Sequence, residues 1–102
     1  MYDFKTISVT TTNGVGQILL DRPPVNAMNR VMRDELVTAF ATLGGDTAVR
    51  AIVLSGNGKM FCAGADLKDR PDTSHPGAYT DHNLSVRTCF NSAIECPKPI
   101  IA

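Results

Sequence analysis

The 102 residues hold ten Lys plus Arg against ten Asp plus Glu, a length for one modest domain with a thin core. That charge balance leaves no basic field for nucleic acid or anionic lipid and no acidic tail. Cys62, Cys89 and Cys96 are an odd number without CxxC spacing or a Cys/His cluster. They read as reduced thiols of a cytoplasmic protein rather than a disulfide framework or a metal site, and no stretch at the start reads as a signal peptide or membrane span.

The stretch "FKTISVTTTNGVGQILLDRP" alternates at Ile7 and Val9, breaks at Asn13-Gly14 and resumes through Val15, Ile18 and Leu20. Asn-Gly between two such runs predicts a hairpin of strands Lys5 to Thr11 and Gly16 to Asp21, because the tight turn needs positive φ at both central residues. "RPPVNAMN" ends the ladder: two prolines remove two donors and push the chain extended. A helix follows, with Asn29 as N-cap, Asp34 and Glu35 complementing its positive start, and Met32, Leu36, Ala39, Phe40 and Leu43 on one face. Gly44-Gly45 terminates it.

"VRAIVLSGNG" is an apolar run without alternation, the pattern of a strand covered on both faces. After "KMFCAGADLK" comes "DRPDTSHPGAYTD", a polar stretch with two prolines that reads as a mobile surface loop. A second helix, about Tyr79 to Glu95, is expected to bury Val86, Phe90 and Ala93 with Cys89 and Ile94 beside them. "CPKP" ends it, and Ile100, Ile101 and Ala102 look like the opening of another buried strand. A chain that stops in mid-strand on apolar residues reads as the N-terminal piece of something longer.

The chemistry-bearing segment lies between the third strand and the loop. If Ala65 opens a helical turn, the NH groups around Gly64, Ala65 and Asp66 leave the strand end without intrahelical partners and form an anion or oxyanion site. Ala63, Gly64 and Ala65 carry almost no side chain, so a planar carbonyl can approach the main chain. Asp66 is expected to turn back and cap the new turn, leaving the NH of Ala65 free. The motif shape alone fits a plain strand-to-helix turn as well as an oxyanion hole. A phosphate loop does not fit, since "GNGKM" lacks the four-residue spacing before Gly-Lys and the following Ser or Thr. Cys62 has no sequence-adjacent His to activate it as a nucleophile.

Val53 to Lys68 closely resembles a segment of the crotonase superfamily, the enoyl-CoA hydratase/isomerase family, in which a hydrophobic strand and a Gly precede Phe-x-Ala-Gly-x-Asp-Leu. "LDRPPVNAMN" resembles that family's N-terminal coenzyme A segment and "CPKPIIA" the lead-in to its next strand. The three matches fall in the family's order and span nearly the whole chain.

The resemblance implies an α/β spiral of β-β-α units, here its N-terminal part, truncated after the second helix, across which an acyl-CoA binds in a bent shape. It implies that the backbone NH of Ala65 is the first of two oxyanion donors. Val25, Ala27 and Met28, with Ala63, Gly64, Asp66 and Leu67, would line the coenzyme A side. Lys68, and more weakly Arg22, would add charge near a phosphate, and for both a plain solvated cation fits as well.

The family's second donor is a glycine NH just after the strand that begins here with Pro99-Ile100-Ile101, and its acid/base carboxylates lie there and beyond. Asp69, Asp72, His75, Asp81 and His82 read as solvated loop or helix-start residues rather than a general base. The expectation is therefore a hydratase or isomerase of fatty-acid or branched-chain acyl breakdown that needs no cofactor apart from the coenzyme A of its substrate. Its partner is an acyl-CoA, with no nucleic acid and no membrane, and the full-length parent is a homotrimer or hexamer. This chain alone is expected to bind weakly without turnover. A non-catalytic acyl-CoA-binding or interaction module and an inactive truncation product remain the alternatives.

Overall fold

A computed structural model describes residues 3–68 and 76–102. Two strands, β1 (Ile7–Thr12) and β2 (Val15–Leu20), pair antiparallel in the register Ile7 opposite Leu20 to Thr12 opposite Val15. The turn between them has Asn13 at φ 53° and Gly14 at φ 82°, the positive pair expected of an Asn-Gly hairpin. Each strand lies within a residue or two of its predicted range.

Residues 23–26 form a turn, with a cis Pro23–Pro24 peptide, instead of running extended. Helix α1 (Arg30–Gly44) then begins at Asn29, whose side chain accepts from the NH of Met32 at 2.9 Å, and ends at Gly45. Its buried face is Met32, Leu36, Ala39, Phe40 and Leu43, as the spacing requires, with Arg33 in addition. The expected role of Asp34 and Glu35 at the helix start is corrected: both lie beyond the first turn. Asp34 sits 3.7 Å from Arg30 on the exposed surface. Glu35 reaches out of the helix and accepts from the NH groups of Lys5 at 2.7 Å and Thr6 at 2.8 Å and from the Thr6 hydroxyl. Burial works to raise the Glu35 pKa, but those hydrogen bonds from Thr6 and Lys5 outweigh it and hold the carboxyl below its ordinary value.

Strand β3 (Ala51–Gly56) pairs parallel to β2, from Val15 opposite Ala51 to Leu20 opposite Gly56. Helix α2 (Ala78–Ile94) leads to β4 (Ile100–Ile101), parallel to β3 with Ile52 opposite Ile100. The sheet order is β1-β2-β3-β4, so the chain extends one paired strand past the second helix. The core is one cluster between the sheet and α1: Ile7, Ile18, Leu20, Met32, Leu36, Ala39, Phe40, Leu43, Val49 and Ile52, with Cys89 from α2. Each fully buried side chain of this size contributes roughly 1.5–3 kcal/mol.

Two expectations about burial fail for one reason. β3 is not covered on both faces, since Ile52 alone is buried in it and Ala51, Val53 and Leu54 are half-buried. α2 buries only Ala78 and Cys89, while Val86 and Ala93 are half-buried, Phe90 is 56% exposed and Ile94 78% exposed. A single helix layer, α1, carries the packing, and α2 touches it with one edge. The Lys98 ammonium joins the two βα crossings by donating to the carbonyls of Asp46 at 2.7 Å and of Val49.

Candidate functional site

Parallel strands deliver their C-terminal ends to one end of a sheet, where ligand crevices of α/β folds lie. The loop after β3 starts there, and the turn after β2 lies beside it. The two segments are joined backbone to backbone. Ala63 NH donates to Val25 carbonyl at 3.0 Å, Met28 NH to Gly64 carbonyl at 2.7 Å, and Asp66 NH to Met28 carbonyl at 2.9 Å. Met28 and Ala65 are thus partners in an isolated parallel bridge. Of the residues singled out around Val25–Met28 and Ala63–Lys68, all except Leu67 and Lys68 belong to this seam or its immediate neighbours.

In a parallel bridge the residue opposite the bonded strand keeps its own NH and carbonyl turned the other way. Gly64 carbonyl and Asp66 NH point at Met28, so Ala65 NH points away from it. Among the described residues it donates to nothing. One expectation changes here. Ala65 does not open a helix: it stands in the bridge, and the chain turns at Leu67 and Lys68, so among the described residues no helix begins at this NH. Gly64, at φ 102°, produces the reorientation, and an added Cβ there would meet nothing within 4 Å. The glycine serves the backbone conformation, not a lack of space.

Ala65 faces an apolar cavity of about 280 Å³ between the sheet end and the two helices. Leu20, Leu36, Phe40, Leu54, Phe61 and Phe90 lie in its wall, and Met28, Gly64 and Ala65 line it on the seam side. Arg33, Cys62 and Cys89 are its titratable lining groups, and none of them is a carboxylate. Arg33 is 3% exposed and its Nε donates to Ser85 Oγ at 3.0 Å, tying α1 to α2. Burial pushes the Cys89 thiol up, and Cys62 Sγ accepts from Gly64 NH at 3.4 Å.

On the other side of the seam a second cavity, about 250 Å³, is lined by Arg22, Pro23, Pro24, Val25, Ala27, Asp66 and Lys68. Asp66 does cap the turn, accepting from Lys68 NH at 2.9 Å, and its other oxygen lies 2.8 Å from Arg22 Nη1. The Lys68 hydrogen bond, then the Arg22 guanidinium, hold the Asp66 carboxyl below its usual range. Arg22 Nη1 also donates to Ala27 carbonyl at 2.8 Å, so it is a bound structural cation rather than a solvated one. Leu67 is 76% exposed and lines neither cavity. Asp81 and His82 lie in the first turns of α2, away from both cavities, while Asp69, Asp72 and His75 fall outside the described residues. Among the described residues no three His, Cys, Asp or Glu side chains cluster to hold a metal, and no helix is long and apolar enough to cross a membrane.

Sequence reasoning missed the cavity wall contributed by α1. Arg33, Leu36 and Phe40 follow an i, i+3, i+7 spacing that could have marked it. It also missed Asn26, which is 2% exposed and hydrogen-bonded to the loop after β3.

A model of the enoyl-CoA hydratase/isomerase family matches residues 10–102. A probable enoyl-CoA hydratase of Rhodobacter capsulatus is 37% identical over 97% of this chain and 38% of its own length. The mitochondrial Delta(3,5)-Delta(2,4)-dienoyl-CoA isomerase of Pongo abelii is 35% identical over 99% of the chain and 34% of its own length. The crystal structure of an enoyl-CoA hydratase/carnithine racemase from Magnetospirillum magneticum superposes with a TM-score of 0.87 at 27% identity, covering 96% of this chain and 38% of that one.

Proposed function

Because the chain belongs to the enoyl-CoA hydratase/isomerase family, we propose that it supplies the acyl-CoA cradle and the first oxyanion donor of an enzyme acting on enoyl thioesters. The observation that carries this reading is the NH of Ala65, which the seam leaves without a partner beside an apolar cavity. The two cavities divide along the seam as an acyl-CoA divides: an apolar one for the acyl chain, and one bearing Arg22 and Lys68 for the coenzyme A portion.

When water adds to the enoyl double bond, or a proton leaves the α-carbon, negative charge grows on the thioester oxygen. An NH held by a backbone bridge does not reorganise as that charge appears, so it stabilises the enolate more than the ground state. β4 runs parallel to β3, so a donor carried just after β4 would stand at the same end of the sheet as Ala65. Both relatives act at the double bonds of enoyl thioesters by name, one as a hydratase and one as an isomerase, and the chain spans about 38% of the first one's length. The site as described serves either outcome, because the enolate is common to both.

The absence of a carboxylate from the lining of the apolar cavity, among the described residues, favours one second reading: a module that binds acyl-CoA without converting it. The two separate in one experiment. A complete protein carrying this chain is incubated with a series of 2-enoyl-CoA and 3-enoyl-CoA thioesters, with loss or gain of the conjugated thioester followed by ultraviolet absorbance and binding followed by calorimetry. Turnover of at least one thioester supports the enzyme. Binding without turnover supports the module, and neither binding nor turnover in folded protein removes both.

A further inference from the structure

Among the described residues, Asn26 is the polar side chain buried within the seam region. It is 2% exposed and sits at φ 55°, a left-handed conformation that Asn tolerates better than most residues. Its backbone NH donates to Arg22 carbonyl at 2.8 Å, and its Oδ1 accepts from Arg22 NH at 2.8 Å. Its Nδ2 donates to three carbonyls of the loop after β3: Asn57 at 3.1 Å, Met60 at 2.9 Å and Phe61 at 3.2 Å. An amide with two hydrogens therefore gathers three acceptors from one short loop. That loop folds back so tightly that a Cβ on Gly56 would come within 2.4 Å of Phe61 carbonyl.

The position of this tether matters because the seam has a register. In an unbroken extended segment the NH groups of Ala63 and Ala65 would face the same side, but Gly64 at φ 102° breaks the alternation. Ala63 and Asp66 NH therefore both bond across the seam, to Val25 and Met28, while Ala65 NH turns away from it on a residue that lines the cavity. A different register would leave another amide in the outward position that Ala65 holds. Among the described residues the seam holds three backbone hydrogen bonds, and Ala63, Gly64 and Ala65 have no large side chains with which to hold a register by packing. We propose that Asn26 is the positioning residue that sets this register: by pinning 57–61 immediately ahead of the seam, it determines that Ala65, and not a neighbour, is the outward donor. The inference rests on the acyl-CoA reading for its consequence in function, but the register itself is a property of the chain.

The test compares the 102-residue chain with Asn26→Gly, which keeps the left-handed backbone and removes the amide, and Asn26→Asp, which keeps the size and replaces the donor. Val49→Ala, a buried site remote from the seam, serves as a destabilised control. Amide hydrogen exchange is read at Ala63 and Asp66 against amides of β2 and β3, and the chemical shift of Ala65 NH is read during titration with butyryl-CoA. We expect both Asn26 variants to lose at least tenfold in protection at Ala63 and Asp66 relative to the sheet, and the ligand-induced shift of Ala65 to fall at least fivefold per bound molecule. Val49→Ala should lower the melting temperature yet change neither ratio. Wild-type protection of the seam in folded Asn26→Gly overturns the proposal. If the unaltered chain shows no response of Ala65 to butyryl-CoA, the functional reading fails, while the exchange data still decide the role of Asn26. Should Asn26→Asp not fold, Asn26→Ser replaces it under the same criteria.

Discussion

Two proline substitutions two residues apart should have opposite effects, because the amides they delete face opposite sides of the seam. Ala65→Pro removes an NH that bonds to no described residue, while the bridge keeps its two bonds, Met28 NH to Gly64 carbonyl at 2.7 Å and Asp66 NH to Met28 carbonyl at 2.9 Å. The fold should therefore lose little. Catalysis should lose a donor aimed at the growing oxyanion, a deficit of about 3–4 kcal/mol or two to three orders of magnitude in kcat. Ala63→Pro instead removes the NH bonded to Val25 carbonyl at 3.0 Å. Loss of that bond costs roughly 0.5–1.5 kcal/mol in stability and leaves the Ala65 donor in place. The assay pairs urea denaturation with enoyl-CoA turnover, both in a complete protein carrying this chain, and Ala65→Gly, which keeps the NH, should stay within about fivefold of the unaltered enzyme. Full turnover by folded Ala65→Pro, or an equal loss of turnover in Ala65→Pro and Ala65→Gly, would refute the assignment of that NH.

Asp66 has a carboxyl held below its usual value, by Lys68 NH first and Arg22 second. Its stabilising contribution is therefore fully present above the ordinary aspartate pKa and is lost as pH falls through the lowered one. Urea midpoints of the chain and Asp66→Asn should differ at neutral pH and converge in acid; a gap that stays constant with pH contradicts this. Cys89, 3% exposed with its thiol pKa raised by burial, should be alkylated by iodoacetamide at least tenfold more slowly in the folded chain than in urea. Mass-spectrometric mapping that finds it labelled at the unfolded rate would show that α2 does not hold its place against α1.

How much of this was legible in the sequence depends on whether the signal was local. Asn13-Gly14 and the Asn29 cap state their geometry within four residues, and the structure has both. The stripe Met32, Leu36, Ala39, Phe40 and Leu43 is periodic because one face of α1 meets the sheet. α2 carries a similar pattern, yet Phe90 and Ile94 are largely exposed, because periodicity records a face suited to burial and not what covers it. The same limit applies to β3, whose unbroken apolar run implied cover on both sides. For the site, the small residues of Ala63–Gly64–Ala65 pointed to a backbone donor, but the expected helix start was wrong: the Met28 bridge, a contact across 37 positions of sequence, orients the NH. Asn26 was invisible for the same reason, since its three acceptors lie more than 30 residues away and no local pattern announces them.

The most direct measurement of the central claim is the amide spectrum of the alanine-labelled chain titrated with butyryl-CoA and, separately, with its thioether analogue, in which a methylene replaces the carbonyl. If Ala65 NH receives the thioester oxygen, its proton resonance moves downfield with butyryl-CoA and stays near its free position with the thioether, while Ala63, bonded to Val25, responds alike to both. Equal responses of Ala65 to the two ligands, or none to butyryl-CoA at saturation, would contradict the account.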